Sequence, residues 1–89
     1  MTTISVQASV YGLGGTDTPA AIAAFVQALD DHGLRYEMGS MSTVAWGDRE
    51  EIWHALEEGY AAVSDLGPSV MQVTISNACP LPDLGEESA

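Results

Sequence analysis

The residues best equipped for chemistry in this chain are polar, mostly uncharged and spaced two apart. Gln7, Ser9 and Tyr11 alternate along one stretch, and Thr74 and Ser76 along another. Met41-Ser42-Thr43 follows a Gly39-Ser40 turn, with Glu37 just before it. Amides and hydroxyls supply both donors and acceptors, while Tyr11, Met41 and Trp46 add flat or polarisable apolar area. That mixture suits a small planar heteroaromatic molecule held by a few placed polar groups. Glu37 could accept a charge-assisted bond from an exocyclic amine or a protonated ring nitrogen. The same polar groups would equally serve to hydrogen-bond across an oligomer interface, and Glu37 to sit exposed at a sheet edge. Spacing alone leaves both readings open.

No catalytic constellation emerges. His32 and His54 fall on separate predicted helices, and neither can be placed beside a serine nucleophile or at metal-ligand spacing from a cysteine. Cys79, the single cysteine, excludes an intramolecular disulfide and has no basic neighbour in sequence to lower its pKa, so a structural buried thiol is expected. Gly12-Leu13-Gly14-Gly15 lies between a predicted strand and helix but lacks the spacing of either phosphate-binding glycine motif, and reads as a plain turn.

Charge narrows the partners. Thirteen acids stand against Arg35 and Arg49, with no lysine, for a formal charge of −11. Phosphate-backbone binding needs clustered cations, so nucleic acid is excluded as a partner. Long-range attraction favours a cationic ligand, although acidity also serves solubility or a salty cytoplasm. No apolar run approaches the roughly 18 residues of a membrane span, and Met1-Thr2-Thr3-Ile4 lacks the basic and apolar regions of a signal peptide. A cytoplasmic location with no membrane partner is expected. Eighty-nine residues make one domain with a modest core, a size at which oligomerisation is a common supplement.

These groups must be positioned by regular elements. Ile4 to Tyr11 alternates as a strand covered on one face, with Ile4, Val6, Ala8 and Val10 inward. Thr18 reads as an N-cap and Pro19 as the first residue of a helix whose stripe is Ile22, Phe25, Val26 and Leu29, ending at Gly33. Leu34 to Met38 and Met41 to Trp46 read as two strands around Gly39-Ser40. Small residues from Gly39 to Thr43, where bulky groups are usual, let a ligand or a second backbone approach. Asp48 with Glu51 resembles a capping box, opening a helix with Ile52, Leu56, Tyr60 and Val63 inward and the glutamates solvated. Val70 to Ser76 is a last strand, and 81–89 an acidic tail expected to fray.

The order β-α-β-β-α-β, with right-handed crossovers, predicts an α+β ferredoxin-like sandwich: one antiparallel sheet ordered 4-1-3-2 with both helices on one face. Gln7, Ser9, Tyr11, Gln72, Thr74 and Ser76 then face away from the helices, with Arg35 and Glu37 from the edge strand. The phase of the third strand stays ambiguous, with Thr43 and Ala45 against Val44 and Trp46. A face bearing Tyr11, with Val44 and Trp46 in one of the two phases, is too apolar to remain wet, and predicts a dimer or tetramer through the sheets.

Three segments together resemble the YkoF-like family of thiamine- and hydroxymethylpyrimidine-binding proteins: Gln7-Ala8-Ser9-Val10-Tyr11-Gly12-Leu13-Gly14, Gly39-Ser40-Met41-Ser42-Thr43 with Gly47-Asp48, and Thr74-Ile75-Ser76-Asn77-Ala78-Cys79-Pro80. The resemblance runs in register over residues 4–80, the domain it would define. It implies a ferredoxin-like fold, assembly through open sheet faces, and binding of the thiamine pyrimidine without chemistry or cofactor. The positions carried over are Gln7, Ser9, Tyr11, Glu37, Met41, Ser42, Thr43, Ser76 and Asn77. The family includes chains with two such modules, so this single module would need a homodimer or homotetramer to reproduce the pair. Gly12 and Ser40 depart from the family, which often has proline at those places. Thiamine or hydroxymethylpyrimidine is therefore the expected ligand, in salvage, transport or sensing. Two other classes remain: a small cofactor-independent α+β enzyme, and a purely structural or regulatory oligomeric module.

Overall fold

Period-two alternation organises the first strand, β1 (Thr3–Gly12), in which Ile4, Val6, Ala8 and Val10 are buried and Gln7 and Tyr11 exposed. The computed structural model describes residues 2–78, so the expectations for Cys79 and for 81–89 fall outside the described residues. After β1 come α1 (Thr18–Asp31), β2 (Arg35–Met38), β3 (Thr43–Asp48), α2 (Arg49–Ser64) and β4 (Ser69–Ser76). All neighbours are antiparallel in the order β2-β3-β1-β4, the expected ferredoxin-like sheet read from the other edge.

Helix α1 starts one residue earlier than its sequence signals imply. Asp17 is the N-cap, extended and without a side-chain bond, and Thr18 is already helical. The Thr18 hydroxyl instead accepts the Gly12 N–H at 2.8 Å, fastening the end of β1 to the start of the helix. The buried face is Ala21, Phe25, Ala28 and Leu29, with Ile22 and Val26 on its flank. Its alanines allow close approach to α2, where Gly59 does the same: a Cβ there would stand 2.8 Å from Phe25 Cδ1. Gly33, at φ 66°, takes the left-handed turn that ends the helix.

Asp48 caps α2 by accepting the Glu50 N–H at 3.2 Å. The anticipated reciprocal bond from Glu51 does not form, because that carboxylate meets His32 instead. Ile52, Leu56 and Val63 are buried as expected, but Tyr60 is 38% exposed, its hydroxyl donating to the Ser69 carbonyl.

Strand register settles which side chains share a face, since residues directly opposite point the same way. Thr43 stands opposite Ala8 and Ala45 opposite Val6, beneath the helices; Val44 stands opposite Gln7 and Trp46 opposite Ser5, on the uncovered face. Glu37 and Arg35 pair with Val44 and Trp46, and Gln72, Thr74 and Ser76 with Ser9, Gln7 and Ser5. Strand β3 begins at Thr43, two residues later than the sequence pattern indicates.

Candidate functional site

The two neighbours of β1 do not run equally far along it. Pairing with β4 continues to Gly12↔Ser69, whereas pairing with β3 stops at Ala8↔Thr43. Ser9 to Gly12 therefore has a strand on one side only, and the sheet has a notch. The β2–β3 turn folds in beside it, closed by the Gly39 N–H donating to the Ser42 carbonyl at 2.8 Å. Two side chains of β1 pin that turn: Gln7 Nε2 donates to Ser42 Oγ at 3.1 Å, and Ser9 Oγ donates to the Met41 carbonyl at 3.2 Å.

Behind the turn is a cavity of about 230 Å³. Ala8, Val10, Ile22 and Phe25 make an apolar floor, with Tyr11 and Met41 beside it. Thr18, Ser42, Thr43 and the turn backbone contribute hydrogen-bonding groups. Small turn residues and a short β3 are what leave this space open. Tyr11 is the sole titratable side chain among the lining residues, so the cavity holds no pair suited to acid–base catalysis.

Of the positions singled out from the sequence, Tyr11, Met41, Ser42 and Thr43 line this cavity, and Gln7 and Ser9 hold its rim. Thr43 is buried and reaches the cavity from the helix side, opposite to the face carrying Gln7 and Ser9. Glu37 is exposed on the uncovered face, next to the turn but outside the lining. Ser76 and Asn77 are not brought to it. Ser76 pairs with Ser5, six residues back from Tyr11, or about 20 Å along the strand. Its hydroxyl accepts the Ala78 N–H at 2.9 Å. Sequence reading missed Thr18, Ile22, Phe25 and Met38, which look like ordinary helix-cap, core and strand residues until the notch is known.

A second, larger hollow of about 930 Å³ lies between α2 and β4. Trp53, Leu56 and Tyr60 form one wall, and Met71, Val73 and Ile75 the other. Trp53 is 52% exposed. This groove is open, and its walls are apolar.

At the far end of α1, the His32 ring lies between two carboxylates of α2, with Nδ1 2.8 Å from Glu51 and Nε2 3.0 Å from Glu58. Bonds to Glu51 first and Glu58 second hold the imidazole pKa above its ordinary value, against a smaller lowering from burial. His54 stands 6.3 Å away, ring centre to ring centre. Among the described residues, no three or more His, Cys, Asp or Glu side chains are grouped to hold a metal ion, and no helix is long and apolar enough to cross a membrane.

Comparison with known proteins gives a family and a set of structural relatives. The family model described as thiamine-binding protein matches residues 4–76. No curated protein matches the sequence. A hypothetical protein from Methanocaldococcus jannascii superimposes with a TM-score of 0.75 at 26% identity, over 85% of this chain and 80% of that one. A Thermotoga maritima structure, described as a candidate thiamine biosynthesis/salvage protein, gives 0.72 at 21% identity, over 82% and 81%. A domain of unknown function from Bacillus cereus gives 0.72 at 19% identity, over 84% and 75%.

Proposed function

The chain belongs to the thiamine-binding protein family, and on that premise we propose that it holds the pyrimidine ring of thiamine, or free hydroxymethylpyrimidine, in the notch cavity without transforming it. The observation that carries this reading is the fastening of the small-residue turn by Gln7 and Ser9 over an apolar floor. Pockets that take drug-sized ligands measure roughly 300–1,000 Å³. At about 230 Å³ the cavity suits one ring, with the remainder of the vitamin projecting outward. Tyr11 and Met41 offer flat and polarisable surface to that ring, and Ser42 and Thr43 offer hydroxyls to its nitrogens. Glu37, exposed beside the turn and one residue before the lining Met38, is the carboxylate assigned to the exocyclic amine.

Ser76 and Asn77 can join such a site only from a second copy, because within one chain they sit at the opposite end of the sheet. Packing of two uncovered faces, where Tyr11 and its neighbour Val70 are each 44% exposed, is the arrangement that would bring them there. A homodimer or homotetramer with the pocket at the subunit boundary follows, acting as a cytoplasmic carrier or sensor in salvage. The net charge of −11 attracts cationic thiamine, and with only two arginines in the chain the phosphorylated forms are the poorer ligands.

Titration calorimetry with thiamine, hydroxymethylpyrimidine and the isolated thiazole tests the reading. The first two should bind comparably and the thiazole should not. Silence from both pyrimidines at about millimolar concentration, or binding of the thiazole alone, defeats it.

A further inference from the structure

The groove between α2 and β4 combines apolar walls with a single carboxylate, whereas the notch lining carries no carboxylate at all. On α2, Trp53, Glu57 and Tyr60 fall four and three residues apart, which sets them in one row along the helix. Trp53 is 52% exposed, and the Tyr60 hydroxyl donates to the Ser69 carbonyl, holding that ring between helix and strand. Among the described residues neither ring stacks on another, the one ring pair being His32 with His54. The Glu57 carboxylate has no ion pair among the described residues, since both salt bridges there belong to His32. Neither arginine lines the groove. The facing wall is Met71, Val73 and Ile75 of β4, a strand without a charged residue.

We propose that this groove is a second ligand site, separate from the notch, for an amphiphilic organic cation. The ammonium head lies between the Trp53 and Tyr60 rings beside Glu57, and its apolar arm runs along Met71, Val73 and Ile75. Seven residues of helix rise about 10 Å, so a cation midway is displaced about 5 Å along the axis from each ring, within the roughly 6 Å reach of a cation–π contact. A methylated ammonium suits such a site, because a bare one has three N–H donors to satisfy and the rings supply no acceptor on their faces. Charge decides against the other amphiphiles that apolar walls would admit. A fatty carboxylate would meet Glu57 and a net charge of −11. A neutral alcohol would cover Glu57 without neutralising it. The volume of about 930 Å³ lies within the roughly 300–1,000 Å³ of small-molecule pockets, with room for head and arm together. The groove then selects by charge, and the notch by placed hydrogen bonds.

Three probes with one arm and three charges test the assignment: hexyltrimethylammonium, hexanol and hexanoate, each titrated to about 10 mM into the nitrogen-labelled full chain. The cation should move the Trp53 indole N–H resonance, identified by its loss in Trp53→Phe. The Trp46 resonance should stay in place, because Trp46 lies on the uncovered face and outside the groove lining. The cation should bind about tenfold tighter than hexanol, with hexanoate weaker again. By calorimetry, Trp53→Ala should lower its affinity about tenfold and Glu57→Gln about threefold. Asp17→Asn removes an exposed acid away from the groove, makes the same change in net charge, and should alter affinity by less than about twofold. Hexanol binding as tightly as the cation overturns the proposal, as do equal losses in Glu57→Gln and Asp17→Asn. A Trp53 resonance unmoved by all three probes overturns it too, the groove then being filled by a second copy or by the end of the chain itself. Hydroxymethylpyrimidine should not displace the cation; if it does, groove and notch are one site and the proposal falls.

Discussion

The notch beside β1 and the groove beside β4 are both gaps in the cover of one sheet, yet they are built in opposite ways. The notch is small, walled by β1, α1 and the β2–β3 hairpin, and closed by side-chain bonds from Gln7 and Ser9 to a turn. The groove is four times larger, about 930 against 230 Å³, and its walls are one helix face and one strand. Size alone would choose the groove. Orientation of a polar ring chooses the notch, because an apolar wall cannot distinguish one end of a heterocycle from another, whereas placed hydroxyls and carbonyls can.

The comparison is tested hardest at Phe25, which is 1% exposed and belongs to both the core and the notch floor. Phe25→Ala should cost about 3–5 kcal/mol of unfolding free energy, a large share of the roughly 5–15 kcal/mol typical of a domain. Urea denaturation reads it directly. A loss under about 1 kcal/mol would mean that the notch floor is not continuous with the core, and that its shape is not fixed by folding.

Next in size is a contrast between the two hollows. Removing the turn's fasteners, with Gln7→Ala and Ser9→Ala together, should weaken thiamine binding about tenfold or more, each lost bond contributing roughly 1 kcal/mol. The oligomer mass should not change. Trp53→Ala, on the groove wall and outside the notch lining, should leave thiamine affinity constant. If Trp53→Ala weakens thiamine binding as well, the two hollows are not separate devices.

Much of this frame is legible in the sequence, for local reasons. Alternation at Ile4, Val6, Ala8 and Val10 fixes one face of β1, and the order of elements then fixes the sheet. The small residues from Gly39 to Thr43 also mark the turn that rims the notch. What local pattern does not carry is where one strand stops against another. Thr43 and Val44 have equal claim to either face until pairing with Ala8 and Gln7 decides. The notch exists because β3 begins at Thr43 and not at Met41, which is a tertiary outcome. Tyr60 misleads for a similar reason: its spacing belongs to the buried stripe of α2, but α2 leaves the flank of β4 uncovered, and the ring looks into the groove. Glu51 and Glu58 read as solvated because nothing in their own helix announces that His32, from the end of α1, will come between them.

That histidine joins the two regions, since α1 supplies the notch floor and α2 the groove wall, and it sets the mildest effect. Neutral imidazole has one N–H, but here both ring nitrogens face carboxylates within 3.0 Å, so the arrangement is satisfied fully by the imidazolium. The charged and titratable groups around it are Glu51, Glu58 and His54 of α2, Asp30 and Asp31 on its own helix, and Arg35 of β2 and Asp48 of β3, which line the same hollow. The folded pKa is raised above the ordinary 6.5, with the Glu51 bond as the largest cause. Folding therefore favours proton uptake. The contribution is fully present below the unfolded pKa and is lost as pH rises through the raised folded value. The melting temperature should consequently be higher near pH 5.5 than near pH 8, by about a degree or two given the exposed partners. His32→Asn should flatten that difference without moving the thiamine affinity measured at fixed pH, because the histidine lies at the opposite end of α1 from Thr18 and Ile22. An unchanged pH profile in the variant would remove the clamp. A change in affinity would show instead that the docking of α1 on α2 shapes the notch, and the two hollows would then have to be treated as one mechanical unit.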